Sequence, residues 1–76
     1  MNIVYVLITC DVGSEKSVIT ELKTINLVKE AEGVMGTWDI LVKLESNNSD
    51  ELKNIIPLKI RKIPNIRTTL TLTVES

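Results

Sequence analysis

The chain contains no histidine and one cysteine, Cys10. Without an imidazole, the Ser/His and Cys/His pairs that activate nucleophiles cannot form. Zinc sites of the Cys/His type lose their usual ligands as well. Cys10 closes an apolar run and reads as a small packing residue. The three Asp and seven Glu are scattered. Glu30 and Glu32 share one strand face and suit a solvated sheet surface. Gly33-Val34-Met35-Gly36 is not a phosphate loop, because a strand rather than a helix follows it. Lys59, Arg61, Lys62 and Arg67 form a local basic cluster without aromatic platforms between them. They fit cations complementing the end of a helix better than a nucleic-acid surface. Two features could hold a small polar ligand. Asp39 lies just past a hairpin turn, beside Trp38, where a carboxylate can cap backbone amides or receive an ammonium group. Thr68, Thr69, Thr71 and Thr73 crowd one strand, where hydroxyls suit the pleat and could also line a pocket at a subunit junction. No catalytic group, metal site or cofactor is expected.

The elements that must position these residues belong to one small domain, residues 1–76, of 8.5 kDa. A chain of this size buries only about 60% of its unfolded surface, so oligomerisation is the expected aid to stability. The composition, 43% apolar and 25% charged, excludes disorder. A net charge of -1 gives no general attraction to nucleic acid or membrane. The apolar run from Ile3 to Cys10 is far shorter than the roughly 20 residues of a membrane span. It is not preceded by a basic segment or followed by a cleavage site, so a signal peptide is not expected. A lone thiol and no targeting segment point to the cytoplasm. Ten Ile, nine Leu and eight Val against one Ala and no Phe describe a core of branched aliphatics, which favours strands.

Ile3 to Cys10 is apolar at both parities, as in a central strand buried on both faces. Ser14 reads as an N-cap, and Val18, Ile19, Leu22 and Ile25 recur at helical spacing, which predicts a helix over 14–25 with Asn26 as a left-handed terminus. Val28 to Glu45 reads as a hairpin with Gly36-Thr37 at the centre of a tight II′ turn. That turn sets Met35 opposite Trp38, Gly33 opposite Ile40 and Ala31 opposite Val42 on an apolar face. Val34 with Asp39, Glu32 with Leu41, and Glu30 with Lys43, an opposite-charge pair, occupy the other face. Asn48 or Ser49 caps a second helix with Leu52, Ile55, Ile56, Ile60 and Ile63 in one stripe. Pro57 interrupts it and predicts a kink or two short helices. Arg67 to Glu75 alternates Leu70, Leu72 and Val74 with the threonines, as a half-buried strand. The order βαββαβ predicts an α+β, ferredoxin-like fold: a four-stranded antiparallel sheet with two helices on one face. The other face, carrying half of the first strand's apolar residues with Val34 and Leu41, is expected to pack against a second copy as a dimeric α+β barrel.

Three segments carry a family resemblance: Tyr5-Val6-Leu7-Ile8; Val28-Lys29-Glu30-Ala31 leading to Gly33-Val34-Met35-Gly36-Thr37-Trp38-Asp39-Ile40; and Ile60-Arg61-Lys62-Ile63-Pro64-Asn65-Ile66-Arg67-Thr68-Thr69. In order and spacing they resemble the C-terminal effector and assembly domain of the Lrp/AsnC (feast/famine) transcription regulators. The resemblance implies a homodimer, octameric or decameric rings of dimers, and a small amino-acid effector held where dimers meet. It implies a pocket from Gly36, Thr37, Trp38 and Asp39 with Thr68 and Thr69. Three positions depart from the family pattern: Asn26-Leu27 stands where Pro-Gly is usual, Pro57 lies within the second helix, and Trp38 replaces the common Tyr. Met1 is followed at once by the first strand, so if the chain is complete, the helix-turn-helix that usually precedes this domain is expected to be missing, with no helix to enter a major groove. The expected role is therefore that of a stand-alone, non-enzymatic amino-acid-binding and assembly module. It would act by co-assembly with full-length Lrp/AsnC-type regulators, without direct contact with nucleic acid or membrane.

Two rival readings share the topology. An ACT-type regulatory domain would pair edge to edge, which leaves the apolar sheet face uncovered. A small dimeric α+β-barrel enzyme, an isomerase or monooxygenase, would pair face to face but has little to work with here, given no histidine and few aromatics.

Overall fold

The computed structural model describes residues 2–74. Its elements run β1 (Asn2–Cys10), α1 (Glu15–Leu22), β2 (Val28–Gly33), β3 (Ile40–Ser46), α2 (Ser49–Ile55), a π-helical segment (Ile56–Ile60) and β4 (Ile66–Thr73). The strands form one antiparallel sheet in the order β2-β3-β1-β4. This is the ferredoxin-like α+β fold expected from the sequence. Glu75, the last residue of the expected fourth strand, lies outside the described residues.

β1 could be assigned to the centre from its composition but not oriented, since both parities are apolar. In the fold Val4, Val6, Ile8 and Cys10 face the helices and are buried. Ile40, Val42 and Leu44 of β3 join them, with Ala31 of β2 and Val18, Leu22, Leu52, Ile56 and Ile60 from the helical layer. Burying an aliphatic side chain of this kind contributes about 1.5–3 kcal/mol, so this cluster is the main source of stability. Ile3, Tyr5, Leu7 and Leu41 point to the opposite face, where they are only half-buried.

β4 alternates as expected, and the ladder shows which way. Leu70 pairs with Leu7 and Leu72 with Tyr5, so the leucines lie on the open face. Thr69, Thr71 and Thr73 pair with Ile8, Val6 and Val4 and turn toward the helices. Leu70 and Leu72 are 44% and 46% exposed. The open face is thus more apolar than the hairpin and β1 alone implied.

The hairpin register is the expected one: Gly33 opposite Ile40, Ala31 opposite Val42, Glu32 opposite Leu41 and Glu30 opposite Lys43. The tight turn is not. Pairing ends at Gly33 and Ile40, and residues 34–39 form a wider loop closed by the Val34 amide donating to the Asp39 carbonyl at 2.8 Å. Met35 is fully exposed and makes no ladder pair with Trp38. Gly36 carries a φ of 124°, a conformation that disfavours side chains. Lys43 is opposite Glu30, but its ammonium lies 3.8 Å from Glu45, two residues along its own strand.

Local helix signals divide in the same way. Asn48 caps α2 as expected, its Oδ1 accepting from the amides of Asp50 (2.9 Å) and Glu51 (3.4 Å). Ser46 extends the cap: its hydroxyl accepts from the Asn48 amide at 3.0 Å and donates to the Glu51 carboxylate at 2.9 Å. Ser14 makes no side-chain cap to α1, and that helix stops at Leu22 rather than at residue 25. Thr24 and Ile25 then close turns onto Glu21 and Leu22, which puts Ile25 in the core without a left-handed residue at Asn26. The left-handed asparagine is Asn65, at φ 75°, where the chain turns into β4. Pro57 breaks the second helix as expected, and the break is a π turn in which the Arg61 amide donates to the Ile56 carbonyl at 2.9 Å.

Candidate functional site at the hairpin end of the sheet

β1 ends where β3 and β4 begin, so one end of the sheet collects the hairpin loop, the 11–14 turn and the start of β4. The loop is stitched to β1 by two bonds. The Asp39 amide donates to the Ile8 carbonyl at 2.9 Å, and the Asp39 Oδ2 accepts from the Cys10 amide at 2.9 Å. Asp39 therefore caps a backbone amide, but one of the neighbouring strand rather than of its own turn. Its Oδ1 has no hydrogen-bond partner among the described residues.

On the other side of β1, Thr69 lies opposite Ile8 and Thr68 opposite Thr9. The register then slips, Ile66 pairs with Cys10, and Arg67 is the extra residue of a bulge. Its guanidinium Nε lies 3.8 Å from Asp11 in an exposed pair, of the kind that contributes little. The Asp11 amide donates to the Asn65 carbonyl at 2.9 Å and fixes the turn beneath it.

Gly36, Thr37, Trp38 and Asp39 thus share an end of the sheet with Thr68 and Thr69, but β1 stands between the two groups. At about 4.8 Å per strand, the separation is on the order of 10 Å. A shallow depression of about 350 Å³ holds Arg61, Ile66, Arg67, Thr68 and Thr69 and none of the hairpin residues. Val12 and Met35, 98% and 101% exposed, project at this same end.

Cys10, 6% exposed, sits under this end. Burial pushes its thiol pKa up, and the carboxylates of Asp39, Glu15 and Asp11 push it further the same way. That is the opposite of what an attacking thiolate needs. No group of three or more potential metal ligands occurs among the described residues, and none of their helices is long and apolar enough to cross a membrane.

A second concavity escaped the sequence reading. On the helix side, α2 and the π segment stand apart from β4 and leave a cleft of about 380 Å³, with Leu52, Ile56 and Pro57 on its wall and Thr71 and Thr73 on the strand side. The only advance sign was Pro57, which marked a break in the helix but not the gap beside it.

Comparison with known proteins places the chain. The Lrp/AsnC ligand binding domain model matches residues 3–76, and the chain belongs to that family. A homocitrate synthase from Saccharolobus solfataricus is 46% identical over 55 residues, covering 72% of this chain and 12% of that enzyme. An uncharacterized HTH-type transcriptional regulator, PF0250, from Pyrococcus furiosus is 35% identical over 71 residues, covering 90% of this chain and 47% of the regulator. The chain therefore spans less than half the length of these curated relatives. The crystal structure of hypothetical protein PHS023 from Pyrococcus horikoshii superposes with a TM-score of 0.92 at 34% identity, covering 100% of this chain and 92% of that one.

Proposed function

We propose that this domain, residues 1–76, is a non-enzymatic, amino-acid-responsive assembly module. Two copies pair through their open sheet faces, and dimers meet at the hairpin end around an amino-acid effector. In this reading the Asp39 carboxylate receives the effector's ammonium group. Gly36, Thr37 and Trp38 shape the loop around it, while Thr68 and Thr69 offer hydroxyls from a neighbouring chain. Two chains are required because β1 separates the two groups within one. The output is an altered assembly of Lrp/AsnC-type regulators.

The observation that carries this reading is Asp39. Its backbone and one carboxylate oxygen are held by β1, while the other oxygen is uncommitted among the described residues. A rigid carboxylate with a spare oxygen is well prepared to accept a charge-assisted hydrogen bond. The test is a thermal-shift screen of the common amino acids, followed by calorimetric titration of the wild type and Asp39→Asn. A ligand at 100 times its Kd should add about 2.7 kcal/mol of stability. Equal affinity of the two proteins for the selected amino acid removes Asp39 from the site.

The homocitrate synthase match favours a second reading, in which the same effector site controls a metabolic enzyme rather than a regulator. Adding the protein, with and without the selected amino acid, to a homocitrate synthase assay and to a DNA-binding assay of a full-length regulator separates the two outputs.

A further inference from the structure

We propose that the cleft between α2 and β4 binds a small aliphatic monocarboxylate that carries no amino group. The hairpin residues take no part in this site.

The cleft follows from the way the layers are matched. α1 packs on β2 and α2 on β3, so the helix-facing side of β4 has no helix above it. Thr71 and Thr73 therefore stand on an uncovered strip, next to the buried Val4. Leu52, Ile56 and Pro57 form the facing wall. The volume, about 380 Å³, lies in the range of small-ligand pockets.

The charge around this apolar slot has one sign. Lys53 and Arg61 line it, and no acidic residue among the described residues does. Neither cation makes a salt bridge among the described residues. The π turn bears directly on this arrangement. At roughly 100° per residue, a straight α-helix would set Lys53 and Arg61 about 80° apart around its axis. The additional residue absorbed by the π turn reduces that to about 20°. Both cations are thereby brought to the cleft side of one helical rod, flanking Pro57.

Chemistry then selects the ligand. An aliphatic body satisfies the wall, and a carboxylate satisfies the two cations through charge-assisted hydrogen bonds. The threonine hydroxyls can donate to the same group. An amino acid fits less well, because its ammonium would meet two cations and, among the described residues, no acceptor of opposite charge. The cleft thus prefers a fatty acid or a 2-oxo acid over the amino acid of the same skeleton.

The experiment follows amide chemical shifts of the whole chain during titration with octanoate, 1-octanol and 2-aminooctanoate. Octanoate should move the Leu52, Ile56, Thr71 and Thr73 amides saturably, and the other two should bind at least fivefold more weakly. The double substitution Lys53→Gln and Arg61→Gln should lower octanoate affinity about tenfold without moving the thermal midpoint. Thr71→Trp, which fills the slot from an exposed strand position, should abolish binding. Octanol binding as tightly as octanoate overturns the proposal. So do octanoate shifts confined to Leu41, Leu70 and Leu72 on the open face, or no saturable shift at all.

Discussion

The carboxylate of Asp39 and the backbone amide of Cys10 are joined at 2.9 Å, so the hairpin loop is tied to the central strand by a side chain as well as by the ladder. Removing this acceptor strands a part-buried amide, which costs about 1–3 kcal/mol. Asp39→Ala should therefore lower the unfolding free energy by that amount and bring the denaturation midpoint down in proportion. Asp39→Asn keeps an oxygen that can accept from Cys10 and should hold the midpoint close to wild type. Urea titrations of the three proteins check both statements. If Asn destabilises as much as Ala, the negative charge rather than the hydrogen bond holds the loop.

The exposed leucines of β4 give a second prediction. Leu72 is on the open face opposite Tyr5 and makes little of the monomer's core. Leu72→Lys should weaken self-association at least tenfold, ~1.4 kcal/mol, because a lysine without a partner resists burial. The unfolding curve of the isolated chain should barely change. Sedimentation equilibrium at several concentrations reads the first quantity; a wild-type chain that stays monomeric at micromolar concentration removes the face-to-face dimer altogether.

Cys10 supplies a pH dependence. Its pKa is higher in the folded chain than in the unfolded one, first because it is buried and then because Asp39 is near. The folded thiol therefore keeps its proton after the unfolded one has lost it. Stability is full below the ordinary thiol range, near pH 8.5, and declines as pH rises through that range and beyond it. Cys10→Ala should flatten this decline, which thermal melts from about pH 7 to 10 would show. Alkylation at pH 8 should be slow in the native protein and fast in urea.

The cap of α2 is the fourth test. Asn48 accepts from two amides at the start of a short helix. Asn48→Ala should cost about 0.5–2 kcal/mol and Asn48→Asp only a few tenths. Hydrogen exchange at Asp50 and Glu51 localises the loss.

These residues also show how far the sequence could be read. Gly33 opposite Ile40 was legible, although through a Gly36-Thr37 two-residue turn that does not form, because the wider loop closes on the same pairing through the Val34 amide and the Asp39 carbonyl. Met35 opposite Trp38 was not, because the Asp39 amide and carboxylate bond to β1 instead of closing a two-residue turn. That tertiary preference is invisible to turn chemistry. The orientation of β1 was unreadable for a different reason: a strand apolar on both faces carries no signal of which face meets the helices. β4 declared its alternation but not that the threonines, rather than the leucines, turn toward the helical layer. The left-handed turn was expected at Asn26 and lies instead at Asn65, where the chain enters β4. The cleft beside Pro57 depends on the spacing of two layers, which no local pattern encodes.

β1 lies between β3 and β4, and its outer partner joins Leu7 to Leu70, nearly the whole length of the chain. On the ribosome this means that, of the elements of this domain, the most apolar one emerges before the rest and its last partner emerges after them. At about 5–20 residues per second, β1 waits some seconds with a bare hydrogen-bonding edge. Where many copies are translated from one message, a neighbouring nascent chain presents the same bare edge at the same moment. The central position of β1 therefore makes the birth of this domain its time of greatest exposure to misassembly. Conditions that slow synthesis, more than those that strain the finished fold, should be the ones that send it into aggregates.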